Sequence, residues 1–481
     1  MNLLTKLPLS LALVSIGLVL TACGGGSGGG DSAPSSSRTS AISSSTAVSS
    51  VAPSSTPASS SSSIQPSSSS TQTTSSSSAA TIATCTVDGK QWNICVTDNN
   101  NWGFEAGSYC VAQSFCPANR TQFPSLDTRD TPVDAAVSTK TKTIYSYLKS
   151  IWGQKTLAGQ QDVTWKDDID MAQRVFNDTG KYPALMGYDF MNYGMTESWV
   201  QGLNQTGEAI AHANNGGLVT FAWHWRDPAL LNTSNVNSAN FYVRESDASK
   251  NTDFIIPVAN GALDTNSPAY NQLNAGIDLI AEELKKLADA NVPILWRPLH
   301  EASGYKGDGW FWWGRTRTDG VPQAFAQILL WRHMYDRLVN HHGIHNLLWV
   351  WNGQNAAWYP GDDYVDIVSH DIYDNTDNKA YKSQIAIYDQ ARKYPAENKM
   401  VALSENSYIP DPDKIAADNA WWLWFMTWND SNFDQTTEAS GTHADNFWSG
   451  DYYNTSAHKT KVYNHTNVIT LDELPDFDLP K

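Results

Sequence analysis

"PILWRPLHE", residues 293 to 301, is an apolar run of strand length that ends on an imidazole and a carboxylate. Seven more runs are built the same way: "LAGQQD" (157–162), "PALMGYDF" (183–190), "GLVTFAWHW" (217–225), "NLLWVWNG" (346–353), "VDIVSHDIYD" (365–374), "MVALSEN" (400–406) and "WLWFMTWND" (422–430). Helical stretches separate them; in one, Ile277, Ile280, Leu284 and Leu287 recur at helical spacing with "EELKK" on the opposite face. Eight strand-like runs alternating with helices predict an α/β chain folded as a (β/α)8 TIM barrel. A doubly wound open sheet is the alternative, but no glycine-rich G-x-G-x-x-G turn follows the first run.

Functional side chains of such a barrel sit at the C-terminal ends of its strands. Those places hold Asp189, His224, His300 with Glu301, then His370, Asp371 and Tyr373, and finally Glu405. Two glutamates therefore face each other from the fourth and seventh runs. Downstream of Glu301 stands "WFWWG" (310–314), of which at least two rings among Phe311, Trp312 and Trp313 belong in the core, because successive side chains point different ways. Paired carboxylates beside aromatic surface suit cleavage of a glycosidic bond, one carboxyl protonating the leaving oxygen while the other attacks the anomeric carbon. For His224, His370 and Asp371 a structural hydrogen-bonding role is the competing reading. "HHGIH" (341–345) follows a helix and reads as a solvated C-terminal cap, and "HEASG" lacks the second histidine of a zincin. Neither a catalytic metal nor a cofactor is expected.

"WRPLHE", "WFWWG", "LSEN", "SHDIYD", the late "TW" and the terminal "VITLDELPDF" resemble glycoside hydrolase family 26, whose best-known members are β-1,4-mannanases. The likeness runs from about residue 133 to the end. It implies that Glu301 is the acid/base and Glu405 the nucleophile of a retaining mechanism. It also implies that Tyr373 hydrogen-bonds the nucleophile, that His224 and His300 belong to the substrate site, and that Trp310 and Trp428 stack around the cleaved bond. The implied activity is endo-hydrolysis of β-1,4-mannosidic linkages in mannan, galactomannan or glucomannan. The alternatives are the same chemistry on β-1,3-xylan or mixed-linkage β-glucan, release of mannobiose from chain ends, and a glycan-binding lipoprotein with an inactive barrel.

The 481-residue chain carries a formal net charge of -17, which argues against a nucleic-acid partner and suits a neutral polymer. Aromatic residues make up 11% of it, with 20 tryptophans, enough to expect some rings on a surface. The first 23 residues read as an export signal, an apolar run ending in Leu20-Thr21-Ala22-Cys23. "LTAC" resembles a bacterial lipobox, which implies lipidation of Cys23 and, with Gly24 next, an outer-membrane anchor; otherwise the chain is secreted. Residues 24–83 are a Ser-rich flexible tether, in which "GGSGG" matches a nucleophile elbow through composition alone.

Residues 84–118 form a small exported unit around Cys85, Cys95, Cys110 and Cys116, whose density reads as a disulfide framework with three possible pairings. No C-x2-C pair supports the rival zinc site. The unit resembles a family 10 carbohydrate-binding module, which implies a flat aromatic face for cellulose. Trp102 and Phe104 in "NWGFE" match two of its positions, Val87 stands where a third ring is usual, and Trp92 offers a substitute. The competing reading is a disulfide-stapled spacer with a buried Trp. Residues 119–132 read as a second linker and 133–481 as the barrel, expected to act as a monomer.

Overall fold

The computed structural model describes residues 83–97, 102–116, 125–234, 240–304, 307–433 and 443–478. Cys23, the export signal and residues 24–82 lie outside the described residues.

The Cys unit is a four-stranded sheet of β1 (Thr84–Val87), β2 (Lys90–Ile94), β3 (Trp102–Glu105) and β4 (Ser108–Val111), in the order β1-β2-β4-β3. Its two hairpin turns have positive φ at both central residues, Asp88 and Gly89 in one, Ala106 and Gly107 in the other. This left-handed geometry matches the twist of the flanking strands, and it accounts for the glycines. Of the three pairings, the structure forms Cys85–Cys116 and Cys95–Cys110. So small a sheet buries little core, and closing a loop of about 15 residues contributes on the order of 3 kcal/mol.

All eight runs contain a strand of one closed parallel barrel: β5 (Thr156–Gln161), β6 (Leu185–Asp189), β7 (Leu218–Trp223), β10 (Ile294–Pro298), β11 (Leu347–Trp351), β12 (Ile367–Ile372), β13 (Met400–Asn406) and β14 (Trp424–Thr427). The hairpin β8 (Val258–Ala259) and β9 (Ala262–Leu263) interrupts the sequence order, β14 pairs with β5 to close the barrel, and β15 (Val468–Ile469) adds to the start of β5. Every residue of β5, β6, β7, β10, β11, β13 and β14 is buried, because helices cover the sheet outside while side chains fill it inside. In the helix Pro268–Asp289, Leu273, Ile277, Ile280, Leu284 and Leu287 face the sheet, and Ser267 caps its N-terminus by accepting from the Ala269 amide. Much of the tryptophan content is core: Trp296, Trp349, Trp351 and Trp424 are barrel-strand residues, and all are buried.

Two expectations need correction here. The rings of the Cys unit do not form an open flat face. Trp102 is 4% exposed and its indole N–H donates to the Ala357 carbonyl of the barrel at 2.9 Å. Trp92 meets it edge-on, at an interplanar angle of 83°, and Phe104 lies over Gly261. A large ring with one polar atom is stabilised by burial once an acceptor is in reach, and the barrel supplies that acceptor. Residues 125–132, expected as part of a linker, lie on the barrel instead. Thr128 donates to the Asn398 carbonyl at 2.8 Å, and Arg129 pairs with Asp363 and Glu397, each at 3.0 Å.

Candidate active site

The end of β10 is where the backbone departs from regular geometry. Leu299 and Glu301 both have φ near +50°, a region that residues with side chains rarely occupy and that persists only where the surroundings hold it. Asn352, just past β11, does the holding: its carbonyl accepts from the Glu301 amide at 2.7 Å, and its Oδ1 lies 3.2 Å from the same nitrogen. The turn presents a 5% exposed Glu301 carboxyl to the barrel mouth, where Oε2 accepts from the indole N–H of Trp310 at 2.9 Å.

Opposite stands Glu405 on β13, 2% exposed. Its Oε1 accepts from Arg297 at 2.6 Å and its Oε2 from the Tyr373 hydroxyl at 2.7 Å. The register between β12 and β13 shifts after His370, so that Leu403 pairs with His370 while Glu405 pairs with Asp371. Ser404 is the extra residue of this bulge, a device that re-aims neighbouring side chains. Its hydroxyl donates to Asp371 at 2.7 Å. Asp371 also accepts from Arg297 at 3.2 Å and from the side-chain Nδ2 of Asn352 at 2.7 Å.

One oxygen from each of Glu301, Asp371 and Glu405 lies within 4.8 Å of the others. Three buried carboxyls so close cannot all be ionised without a counter-charge, and Arg297, 2% exposed, supplies one between Asp371 and Glu405. Among the described residues, Glu301 has no such ion pair. Its burial first, and then the charges of Asp371 and Glu405, hold its proton well above the usual carboxylate range. Environment thus divides the two glutamates into one carboxyl that keeps a proton and one that carries a fixed hydrogen-bonded charge.

A second chain of contacts flanks the first. Asp189 at the end of β6 accepts from the His224 amide at 3.0 Å and from its ring Nδ1. His224 Nε2 then lies 3.1 Å from His300 Nε2. Since Asp189 accepts at Nδ1, that nitrogen of His224 carries a proton, and the contact between the two Nε2 atoms needs one more. Burial, followed by the nearby His224 and Arg297, pushes the His300 imidazole far below its ordinary value, so it stays neutral.

The remaining expected residues separate. Trp428 follows β14 and packs with Phe447 and Tyr453, its ring 6.1 Å from that of His224. Phe311, Trp312 and Trp313 are all buried, and Trp313 donates to the His300 carbonyl at 2.8 Å, so of "WFWWG" the half-buried Trp310 alone keeps an open surface. His370 turns to Tyr394 at 3.2 Å, and burial pushes its ring down to about 3. The long segment after β7 frames Trp310: Trp312 N–H donates to the Phe241 carbonyl at 3.0 Å, and Val243 N–H to the Trp310 carbonyl at 2.8 Å. In "HHGIH", His342 and His345 accompany Asp278 and Asp134 at 2.6 and 2.8 Å, away from the barrel mouth. Arg297 and Asn352 were not singled out by sequence reasoning. Their available signal was position, a cation inside an apolar run and a polar residue at the end of another.

The sequence profile of glycosyl hydrolase family 26 matches residues 133–473. The chain is 41% identical over 337 residues to a mannan endo-1,4-beta-mannosidase of Thermothelomyces thermophilus, a match covering 69% of this chain and 61% of that protein. It is 33% identical over 344 residues to mannan endo-1,4-beta-mannosidase B of Piromyces sp, covering 70% of this chain and 52% of that one. The matches thus span between about half and three fifths of these relatives. The crystal structure of a Podospora anserina GH26-CBM35 beta-(1,4)-mannanase superposes with a TM-score of 0.58 at 33% identity, covering 77% of this chain and 72% of that one. With its profile match, its parallel barrel and its two strand-end glutamates, the chain belongs to glycosyl hydrolase family 26.

Proposed function

We propose that the protein hydrolyses internal β-1,4-mannosidic bonds of mannan-type polysaccharides with retention of configuration. The observation that carries the chemistry is the pairing of a buried Glu301, whose proton affinity is raised by burial, with a Glu405 held at both oxygens by Arg297 and Tyr373, one oxygen of each glutamate lying within 4.8 Å of the other. Retaining glycosidases place their two carboxyl groups about 5 to 5.5 Å apart, whereas inverting enzymes need about 6.5 to 9.5 Å to admit a water. The choice of mannan is supported by the names of the two relatives.

In the first step a Glu405 oxygen forms a bond to the anomeric carbon as the glycosidic oxygen departs with the proton of Glu301. A covalent α-linked glycosyl-enzyme results. In the second step the Glu301 carboxylate takes a proton from water, whose oxygen attacks the same carbon and releases Glu405 as a carboxylate. Arg297 and Tyr373 keep Glu405 oriented in both steps. Trp310, His224, His300 and Trp428 form the sugar-binding wall around the cleaved bond. Comparison of galactomannan, lichenan and β-1,3-xylan as substrates tests this reading: hydrolysis of galactomannan well above the other two is expected, and preference for either of the others overturns the mannan assignment. We also propose, from the "LTAC" junction alone, that Cys23 is lipidated and tethers the enzyme to the outer membrane.

A further inference from the structure

We propose that the disulfide-bonded unit is a working part of the active site, in which Asp88 is a positioning residue for Glu301. This goes beyond the function proposed above and rests on its assignment of Glu301 as the acid/base.

Among the described residues, three barrel loops meet the unit, and they follow β7, β10 and β11, the strands that lead into His224, Glu301 and Asn352. The turn between β1 and β2 puts Asp88 against the loops after β10 and β11. Asp88 Oδ1 accepts from Asn355 Nδ2 at 2.9 Å and Oδ2 from the Trp358 indole at 3.0 Å. On its other side is Gly307, where an added side-chain carbon would come within 2.3 Å of Asp88 Cγ. Gly307 also has φ +76° and accepts through its carbonyl from Gln323, so it is fixed from two directions. The indole of Trp102 donates to Ala357 in the loop after β11, and Phe104 covers Gly261 in the turn between β8 and β9, in the segment after β7.

Both loops on Asp88 lead directly to the acid/base. Gly307 lies between Glu301 and Trp310, the two ends of the 2.9 Å contact that orients the Glu301 carboxyl. Asn355 is three residues beyond Asn352, whose carbonyl accepts from the Glu301 amide at 2.7 Å. Asp88 therefore bonds to one of the two segments whose relative position sets the Glu301 side chain and packs closely against the other. With two N–H donors converging on it, its carboxylate has an orienting capacity that a neutral packing residue lacks.

The test compares two substrates of the full-length enzyme. Mannopentaose has a poor leaving group that needs Glu301 as acid; a dinitrophenyl β-mannobioside hardly needs it, so its kcat/KM is insensitive to where the proton donor sits. In Asp88→Ala, kcat/KM on mannopentaose is expected to fall about tenfold, a fraction of the ~10²–10⁴ that general acid catalysis contributes, with the dinitrophenyl substrate changed less than about twofold. Asp88→Asn keeps the volume and one acceptor oxygen, so it gives a smaller loss of the same selective kind even should the alanine variant fail to fold. Gln91→Ala, on the exposed side of β2, leaves both substrates unchanged. Equal losses on the two substrates, or no loss on either, overturn the proposal. Glu301→Ala is run alongside: were it to lose both substrates equally in kcat/KM, the acid/base assignment itself would have failed and the positioning role with it.

Discussion

The Tyr373 hydroxyl donates to Oε2 of Glu405 at 2.7 Å while Arg297 holds Oε1 of the same carboxylate at 2.6 Å. The nucleophile is thereby fixed at both oxygens before a sugar arrives. A hydrogen bond to a charged group is worth about 1.5–3 kcal/mol. Tyr373→Phe should therefore lower kcat on galactomannan by about tenfold or more. Unchanged kcat would show that Arg297 alone orients the nucleophile.

Arg297 is the shared cation of two buried carboxylates, and removing it leaves both without their partner. Breaking such a pair by deleting one side costs about 3–5 kcal/mol. Arg297→Met is expected to lower the unfolding midpoint in denaturant by a corresponding amount and to abolish measurable activity. Arg297→Lys keeps the charge but cannot span both carboxylates with a fixed fork, so it should recover stability before activity. An Arg297→Met protein as stable as the parent would contradict the ion-pair reading.

The raised proton affinity of Glu301 sets the direction of two pH effects. Activity requires Glu301 protonated, so kcat/KM on a natural substrate should fall as pH rises through that raised value. Removing the nearby charge in Glu405→Gln should ease loss of the Glu301 proton, readable by titrating the Glu301 carboxyl. For stability, a folded-state value above the unfolded one means that the contribution is fully present below the unfolded pKa. It is lost as pH rises toward the folded value. Glu301→Gln, which carries no charge to bury, should therefore have a higher Tm than the parent at neutral pH, with the gap closing near pH 4. A Tm difference that grows on acidification would reverse the assignment.

Much of this site was legible because barrels put function at strand ends. Glu301, Glu405, His224 and Tyr373 each stand near the end of a short apolar run, and each of those runs contains a strand. Arg297 was hidden by its place inside a strand, where its partners come from β12 and β13, far along the chain. The shift that turns Glu405 opposite Asp371 is a backbone event at Ser404, which a polar residue in "LSEN" does not announce. Trp102 was harder still. Its acceptor is the carbonyl of Ala357, 255 residues away, and a backbone carbonyl carries no sequence signature. A ring inside a Cys-rich unit reads equally as a sugar platform or as a docking wedge until its partner is known.

The proposed anchor is tested by fractionation. Cys23→Ser should move the enzyme from the membrane fraction to the soluble one with kcat on soluble mannan unaltered. Equal sedimentation of parent and variant would remove the lipid from the proposal.

The division of labour between the two glutamates is tested most directly by the stereochemistry of azide products. With a dinitrophenyl β-mannoside, protonation of the leaving group is hardly required, so Glu301→Ala should still form the glycosyl-enzyme at Glu405 and accumulate it. Azide is already anionic and needs no base, so it should accelerate turnover and yield the β-glycosyl azide. Glu405→Ala has no nucleophile, and there azide can only take the place of the missing carboxylate, giving the α-azide. Proton NMR of the anomeric centre distinguishes the two products. The β-azide from Glu301→Ala and the α-azide from Glu405→Ala are the predicted results; the opposite assignment would exchange the two roles, and an inverted sugar from the parent enzyme would contradict the retaining mechanism itself.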